Sequence, residues 1–374
     1  MRILVIRTSA LGDSVLATPA LRALGAHFPE AELHFVTNDH LAPLFEGLPF
    51  LTRVWPWKMG GGSKTAKGLP RFAASLVASG HFDLVIDLQN SIATRLLVAR
   101  LHGTRVLRFV KRTGFREVAS SIFGEGPILD EVPAAAHFLQ TLTPLGIPQL
   151  GTPLRPELRT APAADRVAGE VLAEGGDQPL VALAPGARWP LKRWDPLRFA
   201  EVGDALAAEG ARIVLVGGPG DRRELDQVRG ALHAAPIADT RDLDLPTLTA
   251  VIARTRLLVS CDSGPSHVAQ AVGTPVVVVF GPTSTRRWGP IPGAGVAVSL
   301  PLACAPCSNF GRRPCPLGHH ACMVDLQAQP VIDASLAAFR AGREGGAEAA
   351  AAIGSRDRVG LALYAARSGR EVRR

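Results

Sequence analysis

Residues 257–282 read LLVSCDSGPSHVAQAVGTPVVVVFGP. Two short apolar runs, 257–261 and 275–280, flank a segment of helical length. Continuous aliphatic runs suit strands covered on both faces, and a strand–helix–strand unit builds a parallel sheet. Working outward, the same alternation fills the chain. Strand-like runs fall at 2–6, 32–37, 83–88 and 105–109 in the first half, and at 179–184, 212–217, 257–261 and 275–280 in the second. A chain of 374 residues is too long for one ordinary core. The break falls near 148–178, where Pro148, Pro153, Pro156, Pro162 and Gly175-Gly176 gather. The expected fold class is α/β, with two Rossmann-like, doubly wound parallel-sheet domains at 1–160 and 161–340. A tail at 341–374, rich in Ala, Gly and Arg, reads as a loose helix or a flexible segment.

Composition narrows the function. Hydrophobic residues make up 47% and aromatics only 5%, which suits aliphatic packing of sheets under helices. No apolar run approaches a membrane span. Met1-Arg2 leads straight into the first strand without the pattern of a secretory leader, so a cytoplasmic location is expected. The net charge is +8, and half of that excess sits in residues 355–374, which hold six Arg against Asp357 and Glu371. The body is mildly basic and poor in aromatics, unlike a nucleic-acid binder with a basic stripe and interleaved rings. Anionic small molecules or an anionic membrane surface fit better. Residues 58–68, KMGGGSKTAKG, form a loop too glycine-rich for a stable element, and Lys58, Lys64 and Lys67 in it are either a site for an anion or simply solvated.

Three stretches carry candidate chemistry. After the strand at 257–261, Asp262-Ser263-Gly264 makes a tight turn, Pro265 suits the first helical turn, and His267 follows. A helix N-terminus behind a parallel strand is an anion site, and Gly264 allows close approach. The other reading is a capping Asp262 and a packed His267. APGARWPLKRWDPLRFAEV, residues 184–202, places Pro185-Gly186-Ala187 after another strand, then Lys192 and Arg193 before a helix. A lysine brought to the sheet edge serves a diphosphate as a point charge. Gly217-Gly218 ends a third strand, with Asp221 a candidate for ribose hydroxyls. In VIRTSALGDSVLATPALRAL, residues 5–24, Asp13 follows Ser9 and Gly12. It is either a helix cap or a base at the sheet mouth, where ligands lie beyond strand carboxyl ends. Thr18-Pro19 supplies a better helix start, as N-cap and N1, unless the helix starts earlier and kinks at Pro19.

Cys304, Cys307, Cys315 and Cys322 are spaced C-x2-C-x7-C-x6-C, with His319 and His320 between. In a cytosolic chain this suggests zinc more than disulfides, although the second spacing is unlike a paired C-x2-C ribbon. Cys261 ends a strand and is expected to be buried. A nicotinamide dehydrogenase is excluded, because Thr8-Ser9-Ala10-Leu11-Gly12-Asp13 lacks G-x-G-x-x-G.

RTSALGDSVLATPALRAL, APGARWPLKRWDPLRFAEV and CDSGPSHVAQAVGTPVVVVFGPT, in this order, resemble glycosyltransferase family nine, the lipopolysaccharide heptosyltransferases. The resemblance covers about residues 1–335, and the cysteine segment ending in Cys322-Met323 resembles the heptosyltransferase II branch. It implies a GT-B fold whose two domains face a cleft. The N-terminal domain takes the acceptor, the inner core of lipopolysaccharide (Kdo or heptose on lipid A). The C-terminal domain takes ADP-L-glycero-β-D-manno-heptose. By resemblance Asp13 is the general base and Lys192 meets the donor diphosphate. Asp262 then contacts the heptose, and Ser263, Gly264 and His267 form the phosphate-binding turn. Transfer inverts the anomeric centre without cofactor or metal, with peripheral contact at the cytoplasmic face of the inner membrane. Some family members carry hydroxyl side chains where Gly186 and Ala187 stand, so backbone N–H groups must replace those contacts here. That departure points away from the enzyme adding the first heptose. Two other functions fit the same motifs. One is a family-nine transferase for a different nucleotide sugar. The other is a non-catalytic nucleotide-sugar-binding protein, which would keep Lys192 and Asp262 but not require Asp13.

Overall fold

The computed structural model describes residues 1–58, 68–110, 132–312 and 314–341. The Lys64 and Lys67 positions of the lysine loop and nearly all of the 341–374 tail lie outside the described residues, whereas Lys58 is exposed at the end of its strand.

The chain forms two compact units. The first takes in Met1–Glu170 with the short segments Leu243–Val251 and Arg286–Trp288. The second takes in Val171–Asp242, Ile252–Thr285 and the chain from Gly289. In the first unit, β1 (Arg2–Ile6), α1 (Leu11–Leu16), α2 (Thr18–His27), β2 (Glu32–Asn38), β3 (Arg53–Trp57), α3 (Leu69–Ala78), β4 (Leu84–Asp87), α4 (Ile92–Val98), β5 (Arg105–Arg108), α5 (Ala134–Gln140) and α6 (Pro162–Val171) follow one another. The remaining elements are β6 (Leu180–Ala184), α7 (Pro196–Ala208), β7 (Arg212–Leu215), α8 (Arg222–Ala231), β8 (Ala238–Asp239), α9 (Leu245–Ala253), β9 (Leu257–Cys261), α10 (Gly264–Val272), β10 (Val276–Val279), α11 (Thr285–Trp288), β11 (Gly295–Val298), α12 (Ala321–Val324) and α13 (Ala328–Ala341).

All strand pairs are parallel. The first sheet has the order β3-β2-β1-β4-β5 and the second β11-β10-β9-β6-β7-β8. The central strands are aliphatic and buried along their length, as strands covered on both faces must be: Ile3 to Ile6, Val181 to Ala184, Leu257 to Cys261 and Val276 to Val279. The eight expected strands are all present. The three unexpected ones, β3, β8 and β11, are edge strands or their like. β3 reads RVWPW, and an edge strand tolerates Pro56 because one side of it needs no ladder hydrogen bond.

Each order reverses once. In the first sheet the chain leaves β1 for β2 on one side and returns through β4 on the other. In the second, β6 leads to β7 and β8, and β9 to β11 extend from the other flank of β6. These switch points open a crevice at the carboxyl ends of β1 and β4, and of β6 and β9. The candidate residues gather at those two places. Gly273, at φ +92, ends α10 in the left-handed conformation that lets β10 begin three residues on.

The N-terminal helix takes the earlier of the two expected starts. It starts at Leu11, with Ala10 as N-cap and Asp13 in its first turn, and breaks at Ala17. Thr18 lies inside α2 rather than capping it, with its hydroxyl donating to Val15 O at 2.7 Å and accepting from Glu157 N–H at 2.9 Å. Pro19 removes an N–H donor, so the chain makes two short helices instead of one.

Candidate functional site

The first switch point carries a fixed carboxylate. Asp13 Oδ2 accepts from Ala10 N–H at 3.3 Å, so part of its role is to serve the free end of α1. Its other oxygen meets Arg7 Nη2 at 2.9 Å. Arg7 is buried, donates through Nη1 to Leu88 O at 2.8 Å, and lies with its guanidinium carbon 5.0 Å from the Phe138 ring centroid on α5. The guanidinium is therefore held on three sides. Ser9 is exposed beside it, its hydroxyl accepting from Gln89 Nε2 at 3.2 Å, while Gln89 Oε1 accepts from Thr8 and Ser9 N–H. Gly12 lies in the first turn of α1 between them. Arg7 and Gln89 are absent from the sequence reading. Gln89 lies two residues beyond β4, but only the pairing of β1 with β4 brings it to Ser9.

The second switch point is cationic. Lys192 sits in a 3-10 turn, Pro190–Lys192, and its Nζ meets Asp262 Oδ2 at 2.7 Å. Asp262 is 3% exposed and takes a second bond on the same oxygen, from Thr283 Oγ1 at 2.6 Å. It therefore serves a lysine and a threonine, and the N-cap of α10 is Ser263. Ser263 Oγ is buried, makes no cap bond, and has no hydrogen-bond partner among the described residues. Gly264 opens the helix with Pro265 behind it. Free N–H groups and the helix dipole thus emerge beside an ammonium group, the electrostatics of an anion site. His267 lies one turn further in and is 3% exposed.

The neighbouring loop is built on backbone. Arg193 Nε donates to Ala187 O at 2.8 Å and its Nη1 meets Glu224 at 2.8 Å, so this arginine holds the loop in place. Ala187 is buried. A Cβ at Gly186 would collide with the Asp221 carboxylate, and Asp221 Oδ2 accepts from Gly218 N–H at 2.9 Å. Asp221 thus closes the Gly217-Gly218 turn against Gly186. Under this floor Cys261 donates its thiol proton to Pro185 O at 3.3 Å and accepts from Trp194 N–H at 3.4 Å. Burial pushes its thiol up to about 12, helped by the charges of Asp262 and Asp221 and opposed by Lys192. It is a core residue, as expected, and no nucleophile.

The zinc reading of the four other cysteines finds no cage. All are free thiols, and among the described residues no three His, Cys, Asp or Glu side chains are gathered to hold a metal ion. His320 instead places Nε2 2.8 Å from Leu191 O, and His319 Nδ1 accepts from Ala321 N–H. Burial is the largest cause raising the Cys322 thiol to about 12.

Two doubly wound parallel-sheet units in one chain, each with its chemistry at a switch point, define the GT-B class of fold. A glycosyltransferase family 9 structure from Veillonella parvula superposes with a TM-score of 0.77 at 23% identity, covering 91% of this chain and 97% of that one. The structure of Escherichia coli ADP-heptose LPS heptosyltransferase II gives 0.71 at 23% identity, covering 92% and 100%. The model of glycosyltransferase family 9 (heptosyltransferase) matches residues 71–318, and the chain belongs to that family of glycosyltransferases. Lipopolysaccharide heptosyltransferase 3 of E. coli is 28% identical over 295 residues, 75% of this chain and 83% of that protein. Lipopolysaccharide heptosyltransferase 2 of Salmonella typhimurium is 25% identical over 347 residues, 89% and 97%. Among the described residues no helix is long and apolar enough to cross a membrane.

Proposed function

We propose that this glycosyltransferase moves L-glycero-D-manno-heptose from ADP-heptose to the inner core of lipopolysaccharide, with inversion and without a metal. The relatives' names, heptosyltransferases of lipopolysaccharide, support the sugar and acceptor classes. The observation that carries the donor half is the Lys192–Asp262 pair at the head of α10, with Ser263 Oγ buried and unpaired beside it. A diphosphate at this place takes the free N–H groups and the Ser263 hydroxyl, and draws on the Lys192 charge. Asp262 keeps Thr283 as a donor when Lys192 turns to phosphate, so its carboxylate is not left bare. The carboxylate then has room to accept a sugar hydroxyl beside the Thr283 bond. Gly186 and Ala187 offer backbone N–H groups only, at a floor shaped by Asp221.

In this reading Asp13 takes the proton of the acceptor hydroxyl. The oxygen bonds to the anomeric carbon from the face opposite ADP, and the bond to the β-phosphate oxygen breaks in the same step. Lys192 and the α10 N-terminus stabilise the charge that grows on the departing phosphate. The lipid-anchored acceptor places the enzyme at the cytoplasmic face of the inner membrane.

A donor panel tests the proposal. Purified protein with core lipopolysaccharide truncated before its heptoses, or after the first, is offered ADP-heptose, UDP-sugars and GDP-sugars, and nucleotide release is followed. ADP release with ADP-heptose and an acceptor is expected, and NMR of the product should show the inverted linkage. Transfer from a UDP- or GDP-sugar instead would assign a different sugar within the family. Binding of a nucleotide sugar with no transfer to any acceptor would favour the non-catalytic reading.

A further inference from the structure

The four-cysteine segment has no task in the chemistry above, yet its contacts converge on Lys192. Cys307 and Ser308 both donate backbone N–H to Pro282 O, at 2.9 and 2.8 Å, tying the segment to the end of β10. Gly311, at φ +69, lies on the lysine stem, where a Cβ would stand 2.7 Å from Lys192 Cγ and 3.0 Å from Cδ. His320, left-handed at φ +49, donates from Nε2 to Leu191 O at 2.8 Å. Thr283, next to the tied Pro282, donates to the Asp262 oxygen that meets Lys192 Nζ. The lysine is thus held at the preceding carbonyl, along its stem and at its head.

A free lysine has a flexible four-carbon stem and loses much rotamer freedom when its ammonium is fixed on a ligand. A stem already held in place loses less, and binds more tightly for that reason. We propose that residues 302–312 and 314–322 form a strap that positions Lys192 for the donor diphosphate, with Gly311 and His320 as its positioning residues. The proposal rests on the donor role assigned to Lys192. It explains why a small segment with three left-handed residues among those described, Gly311, Gly318 and the non-glycine His320, closes over this turn.

The test is a set of double-mutant cycles read by calorimetric binding of whichever of ADP, UDP or GDP the wild type binds best. Lys192→Ala, Gly311→Ala, His320→Asn and the two doubles with Lys192→Ala are compared, with melting curves to verify folding. Asn at 320 accepts the left-handed backbone but is too short to reach Leu191 O. Each strap variant should weaken nucleotide binding about five- to tenfold, and neither should weaken it further once Lys192 is Ala. If Gly311→Ala does not fold, His320→Asn carries the test. Folded strap variants that bind normally, or whose loss persists in full in the Lys192→Ala background, would overturn the strap and leave the donor reading standing. Unchanged binding by Lys192→Ala alone, or no nucleotide binding by the wild type, would overturn the donor reading and the strap with it.

Discussion

Asp13 serves a helix and, in the proposed mechanism, a reaction. A carboxylate in the first turn of a helix contributes about 0.3–1 kcal/mol, and losing its charge also leaves the buried Arg7 guanidinium without its counter-charge. A structural role alone therefore predicts a loss of stability and a normal rate in the molecules that fold. Asp13→Asn keeps an oxygen for Ala10 N–H but cannot take a proton. The expected result is a kcat lower by about 10²–10⁴ with donor binding unchanged. Initial rates and calorimetry on the same sample would show it, and a folded variant working at the wild-type rate would end the base assignment. Arg7 and Gln89 show the limit of reading single residues. Arg7 reaches Leu88 O, and Gln89 reaches Thr8 and Ser9, because β1 pairs with β4, contacts 80 or 81 positions apart in the chain.

Among the elements, the buried central strands were legible because both faces need aliphatic side chains, which leaves continuous runs such as VVVV at 276–279. Edge strands escape that rule. β3 pairs only with β2, and His34 on β2 shows what their union buries. Trp55 Nε1–H donates to His34 Nδ1 at 2.9 Å, which keeps the ring neutral with its proton on Nε2 toward Glu32. Burial holds the ring's pKa below its ordinary value. The neutral form is thus favoured by folding, and its stabilisation is complete above about pH 6.5. As pH falls from there the unfolded chain binds the proton first, and stability drops until the folded ring titrates too. Melting temperatures at pH 8, 6 and 5 should fall more steeply for the wild type than for His34→Gln. Parallel slopes would show that His34 contributes nothing to the acid limb.

At the scale of the molecule, the second unit is built around strands that carry the Lys192 and Asp262 loops at their ends. Cys261 is 0% exposed at the end of β9, and its thiol is pushed up to about 12. Iodoacetamide at pH 8 should therefore reach it only when this unit opens globally, while the partly exposed Cys304 reacts in the folded state. Peptide mass spectrometry over a mild denaturant series would follow both, and equal labelling rates in buffer would contradict a closed core. By itself the sequence determined the strand–helix alternation, the parallel sheets and the family motifs, and it marked Asp13, Lys192 and Asp262 as candidates. These depend on local periodicity and on turns that need particular residues at particular spacings. Only the tertiary structure decided which groups meet them: Arg7 on Asp13, Thr283 and Lys192 on one oxygen of Asp262, Asp221 against Gly186, and the cysteine segment over the lysine stem. Those partners come from strands and loops distant in the chain, and strand order, which no local pattern encodes, is what makes them neighbours.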